Sequence, residues 1–140
     1  YGEEEENIKK LVKELNLEKQ VWFLKNKYQE LKNELLARSN LYVMPSVIYK
    51  KSVEGFGIAY IEAAQYGLPS IGGKDGGEAD AIKNNETGII CDGNSLDEIY
   101  SSIDLILKNN SYKNFINKTK EFAKKFEWDN IIKQYFKILW

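Results

Sequence analysis

The sequence predicts an α/β domain organised as a doubly wound parallel sheet, and three observations carry that prediction. Short apolar runs of strand length, Val21-Trp22-Phe23-Leu24, Leu41-Tyr42-Val43-Met44, Ser70-Ile71-Gly72 and Thr87-Gly88-Ile89-Ile90-Cys91, alternate with runs of helical period. These strand runs are mostly continuous in their hydrophobicity, as expected of strands covered on both faces. Turn residues punctuate the alternation at Pro45-Ser46, Gly67-Leu68-Pro69 and Gly76-Gly77. A chain of 140 residues makes about one domain, taken as 1–140, and no internal repeat divides it.

The first helix follows Gly2, with Ile8, Leu11, Val12 and Leu15 on one face and Glu3-Glu4-Glu5-Glu6 in its first turn, where acids complement the helix dipole. After the run Val21-Trp22-Phe23-Leu24, the spacing of Tyr28, Leu31 and Leu35 predicts a second helix, and Pro45-Ser46 stops the strand 41–44. Val47 to Val53 has no period. Gly55-Phe56-Gly57 leads into a helix through Ile58, Ile61 and Ala64 that ends at Gly67-Leu68-Pro69, with Gly and Pro where a helix stop needs them. A loop 72–77 precedes a short helix around Ala79 to Ile82. Ser95-x-x-Glu98 is a capping box opening a helix whose apolar face is Leu96, Ile99, Ile103 and Ile106. Two further helices carry Tyr112, Phe115, Ile116, Phe122 and Phe126, then Ile131, Ile132, Tyr135, Phe136 and Leu139.

Composition removes several functional classes. Twenty Lys plus Arg against twenty-one Asp plus Glu give a net charge of -1, so bulk electrostatics does not draw the chain to nucleic acid. Histidine is absent, which excludes a His base, a Ser-His or Cys-His pair and nearly all zinc chemistry within these residues. Cys91, the single cysteine, lies in an apolar run and reads as a small core residue. No stretch approaches the roughly 20 apolar residues of a membrane span, and the acidic start has the wrong polarity for a signal peptide. A cytoplasmic protein without a metal site is expected. The start without Met predicts a piece of something longer.

Ligands of doubly wound sheets sit at the carboxyl ends of the strands. There, Glu54-Gly55-Phe56-Gly57-Ile58-Ala59-Tyr60-Ile61-Glu62 places two glycines at a helix start with an acid on each side. Free N–H groups at such a start approach a phosphate without side-chain obstruction, and the dipole favours the anion. A tight turn with solvated glutamates is the alternative reading. If the segment is mostly helical, eight residues separate the acids by about 12 Å. That exceeds the roughly 5 to 9.5 Å of paired glycosidase carboxylates. Two carboxylates so placed suit vicinal hydroxyls on either side of a diphosphate, which need acceptors and no proton transfer. Lys50 and Lys51 read first as solvated lysines and second as cations that approach a phosphate.

Taken together, Phe23-Leu24 after a helix, Met44-Pro45-Ser46, Glu54-Gly55-Phe56-Gly57 with Glu62, Gly67-Leu68-Pro69, Gly76-Gly77-x-x-Asp80-Ala81-Ile82, Thr87-Gly88-Ile89-Ile90 and Phe126-Glu127-Trp128 resemble, in order, the carboxyl-terminal half of retaining glycosyltransferases of family 4. The resemblance covers nearly the whole chain. Val53 to Tyr60 with Gly72-Gly73 is most similar to the branch of phosphatidylinositol mannoside mannosyltransferases of the PimB type. It implies a Rossmann-like, truncated second domain of a GT-B fold, the donor-binding part of an enzyme that moves a sugar, mannose among the candidates, from a GDP- or UDP-linked donor to an acceptor hydroxyl, in glycolipid or polysaccharide synthesis. It further implies retention at the anomeric carbon by same-face attack, with no cofactor and no obligatory metal.

By the same resemblance, Glu54 would bind hydroxyls of the donor sugar, the amides of Gly55, Phe56, Gly57 and Ile58 would hold the diphosphate, and Glu62 would bind the ribose. Asn26 and Lys27 would lie beside the base, although Lys25 stands where the family has Gly. Gly76-Gly77 would shape the next loop without touching the donor. The family's upstream Arg and Lys clamp is missing, with a first strand and helix, and so is the amino-terminal domain that takes the acceptor lipid or glycan; Arg38, the only arginine, sits elsewhere. Two lost charge-assisted bonds cost about 3 to 6 kcal/mol, so the isolated piece is expected to bind donor poorly and transfer nothing. The terminal helix face is open either to self-association or to docking on its own sheet. The intact enzyme is expected in the cytoplasm, with peripheral attachment at the inner membrane face as a further expectation. Two other readings remain: a non-catalytic flavodoxin-like or receiver-like module, against which the strand ends lack clustered acids, and a sugar-nucleotide epimerase. An upstream reading frame with an Arg and Lys strand and a second doubly wound domain separates the first reading from these.

Overall fold

The computed structural model describes residues 2–25 and 29–139, which fall into two compact units, one ending at Lys32 and the other beginning at Asn33. In the first unit, α1 spans Glu5–Glu14, with Glu5 and Glu6 in its first turn and Lys13 in its last, the polarity that the dipole favours. Asn16 closes it in the left-handed region at φ 56, and the Leu17 N–H returns to the Val12 carbonyl at 2.9 Å. The Glu5 carboxylate is bracketed by Lys25 and by Lys9 at 2.7 Å. The hydrogen bond from Lys25, then that from Lys9, pulls its pKa down to about 2. The helix stands where its period places it, but none of its residues is buried.

Residues 21–25 depart from expectation. They form no strand, and Trp22 is 76% exposed with Phe23 and Leu24 also open. An apolar run supplies the propensity for a strand, whereas a strand exists only where a neighbour takes its N–H and C=O groups. The predicted helix from Tyr28 becomes α2, Gln29–Arg38; Tyr28 itself lies outside the described residues.

The second unit contains the sheet. Strands β1 (Tyr42–Met44), β2 (Ser70–Gly73) and β3 (Gly88–Cys91) are parallel in the order β1-β2-β3, with Tyr42 opposite Ser70 and Ser70 opposite Gly88. Between and after them run α3 (Ile58–Gln65), α4 (Glu78–Ala81), α5 (Leu96–Leu107), a 3-10 stretch (Lys108–Asn114), α6 (Ile116–Lys124) and α7 (Trp128–Leu139). The pleat sends alternate residues to opposite faces. Ile71, Ile89 and Cys91 pack with Ile106 of α5 on one face, while Ile90 joins Tyr60, Ile61, Ala81 and Ile82 on the other, beside Phe122 and Phe126. Both faces are therefore covered, as a parallel sheet requires.

Two strand expectations shift in detail. The run 70–72 takes in Gly73 from the expected loop to make the central and fully buried strand, because its glycines admit other groups: a Cβ on Gly73 would lie 1.9 Å from the Ser46 carbonyl oxygen. The run 41–44 reads as covered on both faces, yet β1 is an edge strand and Val43 is 43% exposed.

The helices carry similar corrections. Leu96 is 83% exposed instead of lining the α5 core face, because its place at the first helical position precedes the turn that meets the sheet. The cap of α5 also divides its labour. Ser95 Oγ accepts the Glu98 N–H at 3.2 Å, but Glu98 Oε2 accepts the Asp92 N–H at 2.8 Å, so the return bond of the box ties the helix to the end of β3. In α7, Tyr135, Phe136 and Ile138 are exposed.

Gly73→Ala is expected to destabilise the protein by more than about 2 kcal/mol, whereas Gly55→Ala, with open space at its Cα, should change stability by less than about 1 kcal/mol. Urea midpoints at unchanged slope check both. The Glu5 carboxylate has a folded pKa below its ordinary value, so its stabilisation is full above pH about 4.5 and disappears as pH falls through about 2. Thermal unfolding should show Glu5→Gln less stable than wild type at pH 7 and equal to it near pH 2.

Candidate functional site

The carboxyl ends of β1 and β2 lead into two loops that meet main chain to main chain. The Gly77 N–H donates to the Glu54 carbonyl at 2.8 Å. A Cβ on Gly77 would lie 2.0 Å from the Gly55 carbonyl oxygen, and one on Gly76 would lie 2.6 Å from that of Glu54. The pair 76–77 thus serves the site by holding the turn 54–57 in place. Gly57 then adopts φ +88, which an L side chain resists, and its Cα rests on the Tyr60 ring, where a Cβ would come within 2.3 Å of Cδ2.

That backbone leaves donors open. The N–H groups of Gly55, Gly57 and Ile58 have no acceptor among the described residues, and the Phe56 N–H donates only to Glu54 Oε1 at a long 3.4 Å. Ile58 is the first residue of α3, so its amide belongs to the unsatisfied helix start. Its side chain is 71% exposed, contrary to the apolar face expected of 58, 61 and 64, because this first turn stands at the open end of the sheet. Ile61 and Ala64 are buried as expected. The turn is therefore a set of main-chain donors at a helix start, with open space at Gly55 among the described residues.

Glu54 precedes α3 and Glu62 lies within it, both half-buried. The interval is helical only from Ile58, so the helical estimate of their separation applies to its second part alone. Both acids act on one group. Burial pushes the Tyr42 phenol above its ordinary range, and the charges of Glu62 and then Glu54 push it the same way. Tyr60 lies deeper: burial raises its phenol to about 12 against the lowering effect of Ser46, and its O–H donates to the Met44 carbonyl. Tyr42 of β1 and Tyr60 of α3 pack edge to face at 5.7 Å. Neither tyrosine stood out in the sequence, since an aromatic residue at helical or strand spacing reads as core.

Other residues singled out by sequence fall as follows. Asn26 and Lys27 lie outside the described residues. Lys50 and Lys51 tip a tight turn closed by Tyr49 and Ser52, with Lys50 at φ 55 and its Nζ 4.8 Å from the Tyr49 ring centroid. Cys91 is buried, which pushes its thiol up, and the hydrogen bond with Ser102 opposes that shift. At the ends of β2 and β3, Lys74 pairs with Asp92 at 2.7 Å, holding the carboxylate below and the amine above their ordinary ranges. Among the described residues no grouping of three His, Cys, Asp or Glu is placed to hold a metal. No described helix is long and apolar enough to cross a membrane.

Such a site offers N–H donors to an anion and carboxylate acceptors to hydroxyls. A parallel α/β domain with an open turn of main-chain donors after β1 defines the class: a domain of the kind in which ligands sit at the carboxyl ends of the strands. Residues 1–125 match the family model described as glycosyl transferases group 1, and the chain belongs to that family. It is 32% identical over 130 residues to the N-acetyl-alpha-D-glucosaminyl L-malate synthase of Bacillus anthracis, covering 91% of this chain and 32% of that protein. Over 51 residues it is 39% identical to a GDP-mannose-dependent alpha-(1-6)-phosphatidylinositol monomannoside mannosyltransferase of Mycobacterium tuberculosis, covering 36% of this chain and 13% of that one.

Among solved structures, the sucrose-phosphate synthase from Thermosynechococcus elongatus superposes with a TM-score of 0.79 at 27% identity, covering 99% of this chain and 34% of that one. Anabaena HepE in complex with UDP superposes at 0.78 and 23% identity, covering 97% of this chain and 37% of that one. The fold is that of one domain of GT-B glycosyltransferases. The chain spans about a third of the length of the curated relatives that it matches over most of its own length.

Gly57→Ala is expected to lower Tm by roughly 5 °C or more, since it adds both left-handed strain and a clash with Tyr60. Calorimetry of the variant beside wild type measures it.

Proposed function

We propose that this chain is the donor-binding part of a retaining hexosyltransferase. It grips a GDP- or UDP-linked sugar, with mannose the first candidate, for transfer to an acceptor hydroxyl in glycolipid or polysaccharide synthesis. The observation that carries the reading is the turn 54–58, whose N–H groups at Gly55, Gly57 and Ile58 lack acceptors among the described residues while an acid stands on either side of it.

The work of these residues is electrostatic. A diphosphate seated on the 55–58 amides meets fixed donors and the positive end of α3, which stabilise the negative charge that grows as the sugar departs. Glu54 accepts hydrogen bonds from sugar hydroxyls and so orients the anomeric carbon. Glu62 accepts them from the ribose. No residue here needs to exchange a proton with the donor, in keeping with the absence of histidine. Family membership supports transfer of a sugar. The name of one relative, a GDP-mannose-dependent mannosyltransferase, supports a nucleotide sugar, and that of another, an N-acetyl-alpha-D-glucosaminyl L-malate synthase, carries a different sugar, so its identity is left to experiment.

Backbone NMR with GDP-mannose and with UDP-hexoses at millimolar concentration should move the signals of Gly55, Gly57, Ile58 and Glu62. Shifts confined to other residues would remove the site. In the full-length protein, Glu62→Ala should chiefly raise donor KM and Glu54→Ala chiefly lower kcat. Identical behaviour of the two variants contradicts the division between ribose and sugar.

A further inference from the structure

Six consecutive residues, 48–53, stand exposed between the end of β1 and the candidate turn. Three of them are large apolar side chains: Ile48, Tyr49 and Val53 are 57%, 60% and 53% exposed. Between them Lys50 and Lys51 form the tip of a two-residue hairpin, closed by the Tyr49 N–H on the Ser52 carbonyl at 3.1 Å and the Ser52 N–H on the Tyr49 carbonyl at 2.9 Å. A single exposed apolar residue is ordinary, but three within six positions around a cationic tip mark a contact surface.

Two features tie the tip to its charge. Lys50 sits at φ 55 in the first loop position, where glycine fits freely and a lysine is strained. Neither lysine has an acid within ion-pair distance among the described residues, whereas Lys74, Lys83, Lys108 and Lys124 each pair with one. The Lys50 Nζ stands instead 4.8 Å from the Tyr49 ring centroid. No residue of 48–53 is acidic. The complement of this surface is therefore an anion beside hydrocarbon.

Shape decides among such partners. A small ligand needs a concave site, and a hairpin tip exposed at every position encloses nothing. Nucleic acid needs a broader basic field than two lysines on a chain of net charge -1 supply. A lipid surface accepts a convex tip: apolar side chains enter the interface, a tyrosine ring lies at headgroup level, and lysines reach anionic headgroups.

We propose that the hairpin 48–53 is a docking tip for an anionic lipid surface, with Ile48, Tyr49 and Val53 entering the interface and Lys50 and Lys51 on the headgroups. Lys51 and Glu54 are three steps apart along the chain, so their backbones stand within about 11 Å of each other. Docking thus brings the candidate turn to the lipid–water boundary. This goes beyond the donor reading and does not need it, since lipid binding is measured without nucleotide.

Co-sedimentation of the full-length protein with phosphatidylcholine vesicles, with and without phosphatidylglycerol, tests it. Wild type should bind the phosphatidylglycerol vesicles, and more weakly as salt rises. Lys50→Gly with Lys51→Ser suits the left-handed position and should not lower Tm. This double variant should weaken the binding about thirtyfold, and Tyr49→Ser about threefold. A wild type indifferent to phosphatidylglycerol, or a double variant that binds as wild type does, overturns the docking tip. So does lysine-dependent binding of poly-glutamate without binding of vesicles, which assigns the tip to an acidic protein. Calorimetry of the double variant with GDP-mannose and UDP-glucose separates the two readings. Donor affinity within about twofold of wild type is expected, and a fall of about tenfold gives the lysines to the donor and overturns the docking tip. A wild type that binds neither sugar nucleotide overturns the donor reading alone, with the docking tip decided by the vesicles.

Discussion

The contact on which the site depends is main chain against main chain: residues 76 and 77 lying directly on residues 54 and 55, closed by one hydrogen bond of 2.8 Å from the Gly77 N–H to the Glu54 carbonyl. No side chain fits between these loops, since a methyl on Gly77 would come within 2.0 Å of an oxygen. A backbone so constrained has little freedom to drift. It sets where α3 begins, which amides remain unsatisfied, and where the two acids stand. The left-handed Gly57 and the ring of Tyr60 beneath it brace the same turn from the other end.

A stiff frame beneath an open mouth follows from how the sheet is covered. Ile71, Ile89 and Cys91 anchor one face and Tyr60, Ile61 and Ile82 the other, so β2 is buried throughout. Toward the carboxyl ends the cover thins, and Gly55, Ile58, Lys50 and Lys51 meet solvent. Charge follows the same division. Lys74 is committed to Asp92 on the α5 side, whereas the charges of Glu54 and Glu62 bear on Tyr42 and that of Glu54 on Tyr60. The turn thus contributes hydrogen-bond donors from its backbone and acceptors from its carboxylates.

Legibility in the sequence varied with the range of the interaction that forms each feature. Local devices were readable: the Gly-Phe-Gly entry to α3, its Gly67-Leu68-Pro69 exit, the Ser95 cap and the acidic start of α1 all act within one or two turns of chain. Features requiring a distant partner were not. The run 21–24 has the composition of a strand but lacks the pairing, and Leu96 and Ile58 hold apolar helical positions that the packing leaves in solvent. Glu78 directly follows a glycine pair, and no local pattern marks it as the buried residue that it is.

By itself the chain order determined the class of fold, most elements of its second unit, and the nine-residue stretch with an acid at each end, because these rest on periodicity, turn chemistry and residue type. Tertiary structure alone decided that 70–73 is the central strand, that two glycine loops touch, that Tyr42 lies within reach of both acids, and that a carboxylate is sealed behind Gly76. The physical reason is one of distance along the chain. Burial and electrostatic coupling depend on groups that are remote in sequence and adjacent only after the sheet closes, so no local pattern encodes them.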